Sequence, residues 1–248
     1  MPFLIGFLIA MAVGLTGVGA GSITAPVLIL FFALSPADSV GTALIFAAVI
    51  KLVVAPMYLA RKQVNPRVMK LLCMGGLPGV LVGVYLIGTL NVRHYEHTLF
   101  LLLGTTIATM ALYSLYRTLW KSGPAQRSDR HGWLPLIAGG IGTEVGFSSA
   151  GAGALGSLAL LNLTSLTPAQ VVGTDMLFGL VLSVIGGGLN LTAGHYNAAL
   201  LWKLIAGGVA GVLIGANLSA ILPARPLRVG LALWLSFIGA QLAWKGLF

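Results

Sequence analysis

The chain has 248 residues, of which 58% are hydrophobic and only 8% are charged. Soluble domains carry about 25% charged residues, so this composition excludes a soluble protein and indicates an all-α polytopic membrane protein. The net charge of +9 comes from basic residues that lie between apolar runs, which is typical of cytoplasmic loops rather than of a nucleic-acid-binding protein. The single cysteine, Cys73, excludes an internal disulfide and a multi-cysteine metal site, and no cofactor motif is present.

The first apolar run, residues 3–34, contains a glycine-rich stretch at residues 14–22 with the sequence GLTGVGAGS. Glycine loses the most backbone freedom in a helix, so we expect the helix to break there. As one straight helix the run would measure about 48 Å, against a hydrocarbon core of about 30 Å. The pattern therefore predicts two half-helices, Phe3–Val13 and Ile23–Leu34, which meet at a glycine-rich break.

Three further spans follow in the first half, and a polar linker ends it. Serine, proline and aspartate at residues 35–38 indicate a turn and a helix start, and a basic loop at residues 61–70 separates the first two spans. The predicted spans are Ser39–Ala60, Leu71–Leu90 and Thr98–Tyr116. We divide the chain into a first membrane repeat at residues 1–120, a cytoplasmic linker at 121–131 and a second membrane repeat at 132–248.

The second half repeats the first at a constant offset. The glycine-rich stretch returns at residues 146–154, which is 132 positions after residue 14. Coincidence among apolar sequences would not keep glycines, prolines and an arginine in one register, so the pattern indicates duplication, as in many secondary transporters. Pairs at this offset include Pro36 and Pro168, Gly41 and Gly173, Thr42 and Thr174, Asn65 and Asn197, Gly75 and Gly207, Gly79 and Gly211, Gly83 and Gly215, and Arg93 and Arg225.

The orientation of the two repeats depends on the path of the broken segment. If it folds back as a hairpin, each half adds three full crossings and the repeats are inverted. If it continues as one crossing, each half has four spans and the repeats are parallel. Both arrangements place the same excess of basic residues on the cytoplasmic side, so the positive-inside rule does not choose between them. The length of the broken run favours hairpins and inverted repeats.

Two glycine-rich breaks in one register predict a central anion site between the repeats. The start of a half-helix carries unsatisfied N–H donors and partial positive charge, and irregular backbone at membrane depth is tolerated only within protein or beside a wet cavity. The alternative is that the glycines serve only close helix packing. The predicted substrate-binding residues at the breaks are Gly17, Gly19, Gly21, Ser22, Ser148, Ser149, Gly151 and Gly153. Thr42 and Thr174 could add hydroxyl donors, or could bond back to the preceding helical turn.

Lys51 is the basic residue predicted deepest in the membrane, about 15 Å along a helix from Arg61. A lysine at the bilayer centre costs roughly 2.5–3.5 kcal/mol, so it needs a partner or a role. It is predicted to neutralise an anionic substrate, and the alternative is a structural pair with Asp175 or Glu144. These two carboxylates belong to the second half only and are candidates for proton coupling, with helix capping or pairing with lysine as the structural alternative.

The chain resembles the TauE/SafE family of sulfite exporters over nearly its whole length. The resemblance rests on residues 14–21, Pro26 and the segment from Pro36 to Thr42, together with their second-half counterparts, although Leu158 stands where a second Pro26 would be. It implies a multi-pass protein of the bacterial inner membrane that moves sulfite, a sulfonate or a related anion. We expect a secondary transporter and not an enzyme, with a passive anion channel as the alternative. The implied partners are the anion, membrane lipid and protons as a coupling ion.

Overall fold

The structure is a computed structural model that describes residues 1–16, 19–90, 96–120, 131–153, 155–218 and 224–246. These residues form ten α-helices and one short 3-10 turn, His131–Trp133, and they contain no strand. The helices are α1 Pro2–Thr16, α2 Ala20–Phe32, α3 Pro36–Ala60, α4 Pro66–Leu90, α5 Glu96–Trp120, α6 Leu134–Ser148, α7 Leu155–Leu163, α8 Pro168–Ala193, α9 Ala198–Leu218 and α10 Ala224–Lys245.

The helices have the length and the surface of a multi-pass membrane protein. Within the described residues, four helices are long and apolar enough to cross a membrane, namely α3, α4, α8 and α9. Shorter apolar stretches occur in α1 and α2 and at His97–Tyr113 and Val229–Lys245, inside α5 and α10. Large apolar side chains such as Met74 and Tyr85 are exposed on the outside, where lipid would cover them. The predicted membrane class is therefore confirmed.

Both predicted breaks are present, but each is shorter than its glycine-rich stretch. Helix α1 continues past Gly14 to Thr16, and α6 continues past Gly146 to Ser148. The predicted end at Val13 was therefore three residues early. The reason is tertiary packing: Gly14 lies against the backbone of Val212 on α9, and Gly146 lies against the backbone of Val80 on α4. The absence of a side chain brings the helices together, and this contact outweighs the low helix propensity of glycine.

The second break is built from left-handed backbone. Ser149, Gly151 and Gly153 have φ values of 59°, 95° and 101°, a region that glycine enters at no steric cost. The Ser149 N–H still donates to the Val145 carbonyl and ends α6. The predicted site residue Gly17 lies outside the described residues, as do Val18 and Ala154.

Two pairs of helices pack in parallel through glycines spaced by four residues. Without a Cβ, these glycines let one helix rest directly on the backbone of the other. On α9, Gly207, Gly211 and Gly215 lie against Phe3, Phe7 and Met11 of α1. On α4, Gly75, Gly79 and Gly83 lie against Pro135, Gly139 and Thr143 of α6.

Helices α3 and α8 cross in opposite directions at the centre of the fold. Gly41, near the start of α3, lies against Asn190 near the end of α8, and Gly173, near the start of α8, lies against Gln63 just after α3. Between these ends, Lys51 hydrogen-bonds to Ser183. Helices α5 and α10 also pair in opposite directions, because Gly104 meets Ala243, whereas Ala108 meets Gly239.

The packing also determines the path of the broken segments. Helix α3 runs parallel to α9, because Thr42 contacts Asn197 just before α9, and Ile50 contacts Gly208 farther along. Since α1 is also parallel to α9, α1 and α3 point the same way and α2 must carry the chain back between them. By the same reasoning α6, α4 and α8 are parallel, because Gly76 meets Phe178 and Val84 meets Gly186. The described parts of each broken segment therefore run in opposite directions.

Candidate functional site

Lys51 lies at the crossing of α3 and α8 and is only 4% exposed. Its Nζ donates a hydrogen bond to the Oγ of Ser183 at 3.2 Å, and Ser183 is itself 1% exposed. A buried ammonium needs either an opposite charge or several hydrogen bonds to replace its hydration. Besides this neutral hydroxyl, the ammonium interacts electrostatically with the Asp175 carboxylate of α8.

The ammonium lies beside the second break. A Cβ built on Gly179 of α8 would be 2.6 Å from the Lys51 Nζ and 3.1 Å from the Cβ of Ala152, so the lysine and the break meet at this glycine. The two breaks also touch each other. The Ser149 hydroxyl donates to the Gly21 carbonyl at 2.9 Å, and Gly19 lies against Ala152. The structure therefore brings Lys51 and both breaks together.

Asp175 lies on the same face of α8 as Gly179 and Ser183, at helical spacings of four residues. Its carboxylate is 3% exposed, and its Oδ2 accepts a hydrogen bond from the Ser157 hydroxyl at 2.6 Å. Its Oδ1 lies over Gly156, in the first turn of α7, where a carboxylate is favourable because of the helix dipole. Asp175 thus caps α7 and also interacts electrostatically with Lys51.

Glu144 occupies a different place, between α5 and α6. Its Oε1 accepts a hydrogen bond from the Ser148 hydroxyl at 2.7 Å, and Thr106 of α5 also donates to the carboxylate. Its side chain packs near Gly151 and Met110. The hydrogen-bond partner of Lys51 is therefore Ser183 rather than either carboxylate. Of the two predicted partners, only Asp175 shares the helix face on which the lysine rests.

A cavity of about 50 Å³ leads from Lys51 toward the basic loop at residues 61–70. This volume has room for a few water molecules. The polar groups that line it are Lys51, Tyr58 and Arg61, so its walls carry positive charge from the centre of α3 to its end. The other lining residues are Val13, Gly14, Ile50, Val54, Met57, Met176, Val212 and Ala216.

The remaining predicted hydroxyls hold the backbone in place. The hydroxyls of Ser22 and Ser148 donate to Gly19 and Glu144, respectively, and so bond within or next to the breaks. Thr42 and Thr174 lie at the outer ends of α3 and α8 and not at the breaks. The Oγ1 of Thr42 accepts the Asn197 N–H at 2.9 Å, and that of Thr174 accepts the Asn65 N–H at 3.1 Å. The prediction that these threonines face the anion finds no support in their positions.

Three residues of the site were not predicted from the sequence: Gly179, Ser157 and Ser183. Ser183 carried a usable signal, because it lies 132 positions after Lys51. Gly179 and Ser157 carried no such signal, since small residues are common throughout the chain.

A bundle of apolar helices whose two internal breaks meet beside a buried cation is the arrangement of a membrane transporter. The family model for the sulfite exporter TauE/SafE matches residues 2–242, so the chain belongs to the TauE/SafE family. The chain is also 29% identical over 236 residues to the "Probable membrane transporter protein YjnA" of Bacillus subtilis (strain 168). This match covers 91% of the chain and 92% of that relative. No solved structure matches the chain. The predictions of the family and of a transporter rather than an enzyme are confirmed.

Proposed function

We propose that the protein is a secondary transporter that moves a small sulfur-containing anion across the bacterial inner membrane. The observation that carries this proposal is the buried Lys51 ammonium at the meeting point of the two breaks. The family is described as sulfite exporters, which supports a small anion as the substrate. Sulfite, a sulfonate or a related anion fits a site that combines one positive charge with backbone N–H groups at the start of α2, whereas the start of α7 faces the Asp175 carboxylate.

Access from one side of the membrane follows the cavity between Lys51 and Arg61. The anion enters near Arg61, at the loop that the positive-inside rule places in the cytoplasm. It then moves along α3 past Tyr58 to the ammonium. Release on the other side requires a second state in which the hairpins have moved and this cavity has closed.

The two halves, residues 1–120 and 132–248, act in this proposal as inverted repeats joined by a cytoplasmic linker at 121–131. The helix limits support this division, because α1, α3 and α4 begin 132 residues before α6, α8 and α9. The helix directions support this division too, since α3 is antiparallel to α8 and α5 is antiparallel to α10. The contacts also recur in exchanged form: Thr42 bonds to Asn197, as Thr174 bonds to Asn65. Rocking of one hairpin against the other then exposes the site to each side in turn.

Coupling to protons is assigned to the two intramembrane carboxylates. Asp175 is the stronger candidate, because it lies on the α8 face that holds Lys51. A charged carboxylate there would repel the anion, and a protonated one would not. Glu144 lies on the other side of the second break and could serve the same purpose in a different state.

The test is uptake into liposomes that contain the purified protein. Labelled sulfite, sulfate, thiosulfate and a sulfonate are each measured with and without a pH gradient. We expect saturable uptake of at least one sulfur anion, accelerated exchange against internal substrate, and loss of both in Lys51→Ala. Uptake that does not saturate and shows no exchange acceleration would indicate a passive channel. The absence of uptake of all four anions would refute the proposal.

A further inference from the structure

The ammonium of Lys51 occupies a notch in α8 at Gly179. A Cβ at this position would come within 2.6 Å of the Nζ, which is closer than real side chains approach. One helical turn before the notch lies Asp175, and one turn after it lies Ser183, the hydrogen-bond partner of the lysine. The missing side chain thus determines how closely the ammonium approaches α8.

The contact at Gly179 differs from the other glycine contacts of α8. Gly186 lies against the side chains of Val80 and Leu44, and Gly173 lies against the backbone near Gln63, so both serve helix packing. At Gly179 the nearest atom is the charged end of a long, flexible side chain. Such a side chain can move aside, so an alanine there would displace mainly the ammonium, with a smaller adjustment at Ala152, whose Cβ would be 3.1 Å away.

We infer that Gly179 is a positioning residue of the anion site, which holds the Lys51 ammonium between Asp175 and Ser183 and next to the second break. This inference rests on the proposed transport of an anion at Lys51. An ammonium has three N–H donors, and in the described part of the chain one of them bonds to Ser183. The anion takes the remaining donors only while the ammonium stays in the notch.

A stability measurement tests the notch without any reference to transport. The apparent unfolding temperature in detergent is compared for Gly179→Ala in the parent and in Lys51→Ala. We expect Gly179→Ala to lower it by about 2–4 °C in the parent, since displacing the ammonium breaks the bond to Ser183. In Lys51→Ala the same substitution should have a smaller effect, because only the contact with the Cβ of Ala152 at 3.1 Å remains. Equal losses in both backgrounds would overturn the inference.

A matched packing control separates this effect from simple crowding. Gly186→Ala also adds a methyl group within α8, at 3.1 Å from Val80, but it touches no charged group. Its effect on unfolding should be the same with and without Lys51. Gly188→Ala, where nothing lies within 4 Å, should not lower the unfolding temperature, and its effect should be the same in both backgrounds.

Transport kinetics then test whether the notch serves the anion. Gly179→Ala should raise the KM for the transported anion at least tenfold while the amount of folded protein stays the same, and Gly188→Ala should leave the KM unchanged. In Lys51→Ala, Gly179→Ala should have no further effect on residual uptake. An unchanged KM despite coupled stability would refute the positioning role. If the parent moves no anion, the proposed function fails, whereas the coupling in stability still decides whether Gly179 holds the ammonium.

Discussion

Replacement of Lys51 by alanine removes the charge at the crossing of α3 and α8. Lys51 is 4% exposed, so the dielectric around its side chain is well below that of water. At a separation of about 4 Å and an effective dielectric constant of about 20, the attraction between unit charges is about 4 kcal/mol. Since about 1.4 kcal/mol corresponds to a factor of ten, we expect the anion affinity to fall by a factor of up to about 1,000.

Folding should not suffer to the same degree. A lysine at the bilayer centre costs roughly 2.5–3.5 kcal/mol on insertion scales, and its removal relieves that cost. The lost hydrogen bond is one that the Ser183 hydroxyl accepts, and this hydroxyl can still donate to a backbone carbonyl of its own helix, as serine commonly does in membrane helices. We therefore expect Lys51→Ala to insert and to purify at the level of the parent.

The assay is saturable uptake of the transported anion into liposomes, together with the stabilisation that the anion gives against thermal unfolding. Lys203→Ala is the control, because it removes a lysine from α9 that does not line the cavity. We expect loss of uptake and of anion stabilisation in Lys51→Ala and neither in Lys203→Ala. A folded Lys51→Ala protein with the affinity and rate of the parent would refute the central role of the lysine.

Three further predictions concern the cavity, the coupling carboxylate and the helix contacts. Arg61→Gln should raise the KM for the anion about three- to tenfold, and mostly at low salt, because Arg61 lines the cavity and salt screens its attraction for the anion. Lys62→Gln should not raise the KM, because Lys62 lies outside the lining. Equal effects of the two substitutions would refute the entry of the anion near Arg61. Asp175→Asn should keep anion exchange in liposomes but lose the response to a pH gradient, and a response equal to that of the parent would make Asp175 purely structural. Gly79→Ala should lower the apparent unfolding temperature by several degrees, since its Cβ would meet the backbone of α6. Gly140→Ala should not lower this temperature, because its Cβ would point into open space. Equal unfolding temperatures of the two variants would contradict the close packing of α4 against α6.

The sequence alone determined the features that depend on local chemistry. Apolar runs of membrane length, prolines at helix starts such as Pro36 and Pro168, and two glycine-rich interruptions are readable without any tertiary contact. The depth of Lys51 followed from its distance along the chain to Arg61. The expectation of a hairpin also rested on a length, because residues 3–34 form a run longer than one crossing needs.

Only the tertiary structure decided which faces meet. Gly14 and Gly146 continue their helices because another helix lies directly against them, and the sequence alone indicated a break at those positions. Lys51 bonds to Ser183 rather than to a carboxylate because α3 and α8 cross in opposite directions at that point. An isolated glycine such as Gly179 does not show in the sequence whether it ends a helix, packs against one or makes room for a charge. That distinction depends on the atom opposite it, and packing between distant segments places that atom.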